Sequence, residues 1–189
     1  MPRGLPTLIK TELAKDAISF ADLVELHFSP IKRITNASIP VVTATDTASS
    51  GTYEANGELM SFDTVTETGE AKVNQINLAI SGASSTYTSL FLNNDYVDRR
   101  VVVYRVFFNQ QLQIIDSPVM LFDGEIQSFL INETGDTSTL SVTSASVFYD
   151  FERNNGRRTN DTSQKAFFPN DNGLKYSAIT LEDLKWGKP

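Results

Sequence analysis

The chain has 189 residues (20.9 kDa), is 40% hydrophobic and 21% charged, and carries a net charge of −7 with a pI near 4.7. This is a globular composition, able to bury roughly 70% of the unfolded surface, and the lack of any cysteine excludes disulfides, thiolate nucleophiles and thiolate-bound zinc or iron–sulfur centres. The acidic balance argues against sequence-independent nucleic-acid binding, which depends on Lys and Arg neutralising phosphates.

No apolar run approaches the ~20 residues of a membrane span, and the opening MPRGLPTLIKTELAKDAI lacks the uninterrupted apolar stretch of a secretory signal. Leu5, Ile9, Leu13 and Ala17 recur at four-residue spacing behind Pro6, which predicts a short helix with one apolar stripe. FADLVELHF then alternates, Phe20, Val24, Leu26 and Phe28 against Leu23, Glu25 and His27, as a half-buried strand does. Residues 39–58 turn polar and rich in Thr, Ser and Ala, and are expected to form a hairpin or surface excursion.

LMSFDTV and KVNQINLAIS resume the strand pattern, with Ile76, Leu78 and Ile80 alternating strictly and a turn expected near Thr68 and Gly69. SSTYTSLFLNND predicts a second short helix from capping serines and the spacing of Tyr87, Leu90 and Phe91. DRRVVVYRVFF reads as a well-buried strand, and LQII, VMLFDGEIQSFLI and TSTLSVTSASVF complete a meander with turns at Asp116–Pro118 and NETGD. Gly124, inside a strand pattern, points to a bulge or a tight bend. Many short strands and neighbour hairpins with no βαβ alternation predict a mainly β chain. Residues 1–150 would form an antiparallel β-barrel or sandwich with two short helices, and 151–189 an extended C-terminal arm.

A search for chemistry returns little. His27 is the single histidine, no nucleophile turn accompanies it, and a solvent-facing strand position accounts for it. Asn170, Asn172 and Gly173 have calcium-loop spacing. Counting from Gly173 as the sixth position, however, puts Phe168 and Ile179 where carboxylates are required. Asp123 with Glu125, or Asp95 with Asp98, are ordinary solvated positions as read from sequence. No catalytic residue, cofactor or metal is expected.

The segment Phe151–Tyr176 holds five basic residues against three acidic ones, a local +2 that leaves −9 for the remainder. A basic strap on an acidic protein has an electrostatic partner in another copy of that protein, or in a neighbour like it. Phe167 and Phe168 inside it would leave apolar area in water, and burying one phenylalanine is worth about 1.5 to 3 kcal/mol. The same strap folded over its own barrel is the alternative.

GRRTNDTSQKAFFPNDNG, with the upstream DRRVVVYRVFF and LFDGEIQSFLI, resembles the tail-tip or baseplate hub proteins of tailed bacteriophages and gene transfer agents over roughly Lys72 to Tyr176. The resemblance implies a non-enzymatic structural virion protein, assembled in the host cytoplasm. It would form a homo-oligomeric ring at the distal tail, between the distal tail or tail tube protein and a central spike or fibre. DNA would pass through such a ring without being bound. Together with the strap's composition, it marks Arg153, Arg157, Arg158, Gln164, Phe167, Phe168, Pro169, Asp171 and Gly173 as the expected assembly interface. Lambda-type relatives continue into a cysteine-rich iron–sulfur domain, and with no cysteine here that cluster does not carry over. A second reading is a carbohydrate- or host-receptor-binding β-module using Tyr53, Tyr87, Tyr96 or Trp186 as stacking platforms.

Overall fold

The computed structural model describes residues 6–15, 17–65, 72–82, 85–135, 137–152 and 159–177. Leu5, the turn at Thr68 and Gly69, Arg153, Arg157, Arg158 and Trp186 lie outside them. The chain divides into two compact units, Met1–Phe151 and Glu152–Pro189.

The first unit is mainly β. In chain order it contains α1 (Thr7–Leu13), β1 (Ser19–Leu26), β2 (Lys32–Thr35), β3 (Val41–Thr45), β4 (Ala48–Tyr53), β5 (Leu59–Phe62), β6 (Gln75–Ser81), α2 (Ser85–Asn93), β7 (Arg100–Phe108), β8 (Val119–Thr134) and β9 (Thr137–Ser146), and the single turn α3 (Tyr149–Glu152) falls at its end, its last residue being the first of the second unit. Seven strands form one antiparallel sheet in the order β2-β1-β7-β8-β9-β6-β5, and β3 pairs with β4 as a separate hairpin. The sheet curls into a half-barrel with β2 and β5 at its edges. Antiparallel pairing between sequence neighbours is what the short turns dictate; the long-range pairs β1–β7 and β6–β9 join the meander into one surface.

The concave face is an apolar core. Val24 and Leu26 of β1, Val101 and Val103 of β7, and Leu140 and Val142 of β9 meet there, with Ile76, Leu78 and Ile80 of β6 added as their alternation predicts. Helix α2 closes one end of this core by burying Tyr87 and Phe91. Phe91 packs edge-on against Phe28, ring centroids 5.2 Å apart, and against Phe129 at 5.5 Å. The other face of β1 and β7 is covered by the β3–β4 hairpin, where Val41 and Tyr53 pack on Leu23, Val102 and Tyr104. A strand covered on both faces reads as a continuous apolar run, which is the physical meaning of VVVYRVFF in β7.

That coverage corrects two expectations. β1 is not half-buried, since Ala21 to Leu26 are all buried. Residues 39–58 do form a hairpin, but one whose inner face seals the sheet rather than a surface excursion. Three smaller corrections follow. In α1 the buried residues are Ile9 and Glu12, while Leu13 is exposed, so the four-residue stripe does not hold along its length. LQII is not a strand. It makes one isolated bridge, Phe108 to Ile114, because the Asn109 side chain accepts hydrogen bonds from the amides of Gln111 and Gln113 and folds the segment into a turn. No bulge falls at Gly124, as it pairs with Val101 and Ser146 while the register shifts lie elsewhere in β8. It is a close-approach position: a Cβ there would stand 2.2 Å from the Ala145 carbonyl oxygen and 2.7 Å from the Phe122 ring.

Candidate functional site

The second unit holds the expected assembly segment. Within the segment expected to be an extended arm, Asp161–Phe167 is a helix, α4. The local chemistry accounts for it. Asn160 sits in extended conformation and its side chain accepts from the Ser163 amide at 2.8 Å, satisfying one of the orphan donors of the first turn. Asp161 lies in that turn, where the helix dipole favours an anion, and its carboxylate pairs with Lys165 one turn on at 2.9 Å. The helix stops at Phe168, since the residue before Pro169 is barred from the helical region by the proline ring.

Beyond the stop the chain is folded back by one side chain. Asp171 accepts from the Gly173 amide at 2.8 Å and from the Gln164 side-chain amide at 2.5 Å, while its own amide donates to the Phe168 carbonyl at 3.0 Å. Those first two bonds, the Gly173 amide foremost, hold the Asp171 carboxyl below its ordinary range. Gln164, Asp171 and Gly173 are thus brought together into a clasp that ties the last turn of α4 to the loop after Pro169. Phe167 and Phe168 lie between the clasp's two ends, and they expose 65% and 54% of their surface. Asn170, Asn172 and Gly173 belong to turns, and among the described residues no group of three potential ligands could hold a metal ion.

In the first unit the lone histidine has a different setting from the one expected. His27 is half-buried, its Nε2 lying 3.3 Å from Glu25 Oε2, rather than facing solvent. Glu25, expected on a polar face, is completely buried. It accepts hydrogen bonds from Tyr53 at 2.6 Å, from Arg33 Nε at 3.0 Å, from Thr45 at 3.4 Å and from Thr47. Burial acts to raise its carboxyl, but the bonds from Thr47, Tyr53 and Arg33 together with the charge of Arg33 outweigh it and hold the group below its ordinary value. Burial first, and then Glu25 itself, push the Tyr53 hydroxyl well up. A carboxylate that accepts from Arg33 of β2 and from Thr45, Thr47 and Tyr53 of the hairpin fastens the hairpin to the sheet. The sequence did contain a signal for this burial: Ala21 and Leu23 share the face of Glu25, and a face that carries two apolar residues before its acid is not a plain solvent face.

A second acid of β1 stands at the open end of the half-barrel, where β1 begins and β7 ends. Asp22 is held by Arg105 Nε at 2.7 Å and by the Asn36 side chain at 3.2 Å, and the Arg105 guanidinium stacks over the Phe20 ring at 4.3 Å. Beside them lies a cleft of about 530 Å³ lined by Phe20, Arg105 and Leu121 on one side and by Leu59, Phe62 and Val65 of the β5 edge on the other. A smaller cleft of about 280 Å³, lined by Ile39, Phe108 and Leu112, shares Phe20 and Asn36 with it, so that Phe20 is the ridge between the two. Sequence reading did not find these clefts, because their walls come from strands far apart in the chain.

Of the remaining candidates, Asp123 is neutralised by a two-pronged bond from Arg100, at 2.8 and 2.7 Å. Among the proposed stacking platforms Tyr53 and Tyr87 are buried, and Tyr96 packs on Phe129 with ring centroids 4.8 Å apart.

No protein-family model matches the chain. It is 23% identical over 133 residues to the baseplate hub protein pb3 of Escherichia phage T5, a match that spans 64% of this chain and 14% of that protein. Its fold is shared with a chain in the solved virion of a native gene transfer agent particle. There the TM-score is 0.56 at 16% identity, covering 82% of this chain and 49% of the other. The chain is therefore similar to phage baseplate proteins in sequence and to a gene-transfer-agent virion chain in fold, and it spans only a part of either relative.

Proposed function

We propose, on the similarity to a phage baseplate hub protein and to a gene transfer agent virion chain, that this chain is a structural component of a phage-type tail. Copies of it form a ring at the tail tip or baseplate hub, between the distal tail or tail tube protein and a central spike or fibre. It works by assembly rather than turnover, is built into the virion in the host cytoplasm, and lets DNA pass without binding it. The acidic body suits that passage, since a net charge of −9 outside the arm repels phosphate.

The observation that carries the reading is the arm's architecture. A clasp of Gln164, Asp171 and Gly173 holds two consecutive phenylalanines at the surface of a net-basic segment, on a chain that is otherwise acidic. Polar residues spent on presenting apolar ones are what an interface anchor requires, because a large side chain already held in place loses less freedom on docking. The arm therefore binds a neighbouring copy. Arg153, Arg157 and Arg158 steer the encounter and Phe167 and Phe168 supply the buried contact.

The test is self-association of the full chain, followed by sedimentation against concentration and salt. Phe168→Ala should weaken it by about 2 kcal/mol or more at every salt concentration. Replacing Arg157 and Arg158 by Gln should slow association with a deficit that shrinks as salt rises, because exposed charges are screened within about 8 to 10 Å. If Phe168→Ala instead collapses the thermal melt of the monomer, the phenylalanine belongs to the protein's own core and the arm reading is wrong.

A further inference from the structure

Among the described residues, the body offers a surface suited to receive such an anchor. At the end of the half-barrel where β1 and β8 begin and β7 ends, the curled sheet stops short of closing, and among the described residues no strand pairs with the outer edge of β5. The opposite edge, β2, is already satisfied, its Thr35 amide donating to the Glu54 carbonyl and the Glu54 amide to the Arg33 carbonyl. The larger cleft, about 530 Å³, lies along this open seam, and the smaller, about 280 Å³, adjoins it at the start of β1, sharing Phe20 and Asn36 with it. Phe20, Ile39 and Leu112 expose 48%, 53% and 62% of their surface there, while Phe62, Val65 and Leu121 continue the apolar wall down to the core. Among the described residues that line the clefts, charge is net negative: Asp22 and Arg105 cancel, and Asp63, whose carboxylate accepts from Asn77 at 2.7 and 3.2 Å, remains.

We infer that this mouth is the receptor for a second copy's arm, with Phe167 and Phe168 of the neighbour seated in the two clefts that flank Phe20. The inference rests on the arm reading above and adds to it the place on the body where the arm lands. Complementarity chooses the occupant. Two adjacent apolar rings meet two adjacent clefts, the smaller mostly apolar and the larger lined by Phe20, Leu59, Phe62, Val65 and Leu121 among polar residues, and a segment of charge +2 meets a lining whose described residues are net negative, on a body of charge −9. Arm and mouth are different surfaces of the same chain, so the contact is head-to-tail, and repeated contacts of that kind close into a ring when the rotation permits.

The experiment uses the full chain with the photoreactive residue p-benzoylphenylalanine in place of Phe168, as a mixture of nitrogen-15-labelled and unlabelled copies that separates cross-links between copies from those within one. Cross-links between copies to residues 18–22, 36–39 and 59–65 are expected. Cross-links between copies that map elsewhere on the body would overturn the mouth as receptor and leave the arm reading standing. Associated copies with cross-links only within one chain, or no association at any concentration, would overturn both. As a second measurement, Phe20→Glu and Ile39→Glu should each weaken association at least about tenfold with an unchanged thermal melt. A folded mouth variant that associates like the parent overturns the inference, and Ile39→Glu keeps that test open should Phe20→Glu unfold. Mixing a mouth variant with Phe168→Glu should restore one contact, and so yield a heterodimer and nothing larger. A mixture that remains monomeric counts against the assignment.

Discussion

Glu25 and Asp22 lie three residues apart on β1 and point to opposite faces of one sheet, and the fold uses them differently. Glu25 lies under the β3–β4 hairpin, fully buried, with donors converging on it from β2, β3, β4 and the turn between the last two. Asp22 is buried as well, but its partner Arg105 keeps 31% of its side chain exposed and forms part of an open cleft. The difference teaches that a buried charge becomes a fastening when its lone pairs are saturated from several elements, and part of a surface when one long cation links it to solvent.

The largest expected effect breaks the first of the two sites. Glu25→Ala strands the Tyr53 hydroxyl and the Arg33 guanidinium without their acceptor, and removing one partner of a buried charged pair costs about 3 to 5 kcal/mol. A thermal or denaturant melt measures this, and loss of the hairpin's hydrogen-exchange protection would locate it. Asp22→Asn should cost less, about 1 to 2 kcal/mol, because Arg105 can turn to water and an asparagine still bonds Asn36. Equal losses from the two substitutions would show that burial of the acid alone, and not the number of donors, sets the cost.

Acid sharpens the contrast further. The Glu25 carboxyl titrates below its ordinary value, so its contribution to stability is fully present above about pH 4.3, and is lost as pH falls through the lower folded value. Glu25→Gln does not titrate, so the stability gap between it and the parent should be constant near neutrality and narrow below about pH 4. A gap that widens with acid would mean that the folded protein raises this carboxyl. The smallest effect belongs to the neighbour of Glu25. His27→Ala should change stability by about 0.5 kcal/mol and leave assembly intact, since Glu25 keeps Arg33, Thr47 and Tyr53 without it.

The class of the fold was readable in the chain itself, for a physical reason. Alternation in QINLAIS, the long β-branched run of β7 and the glycine turn at Gly135, whose φ is +51°, are local consequences of strand geometry. Helix α2 and the hairpins between neighbouring strands were legible on the same grounds. In the arm, the Phe-Phe-Pro and Asp-x-Gly elements marked the segment as unusual, but the capped helix α4 did not show itself. Its signal, Asn160 before an acidic first turn, sits in a window too polar for apolar periodicity to reveal. Only tertiary structure decided that neither face of β1 from Ala21 to Leu26 is solvent, because the hairpin that covers one of them pairs with nothing in β1 and adheres through Val41, Tyr53 and the bonds to Glu25. The two clefts were likewise invisible, since Phe20, Ile39, Phe62 and Arg105 become neighbours only when a twisted sheet curls and brings its two edges toward one another.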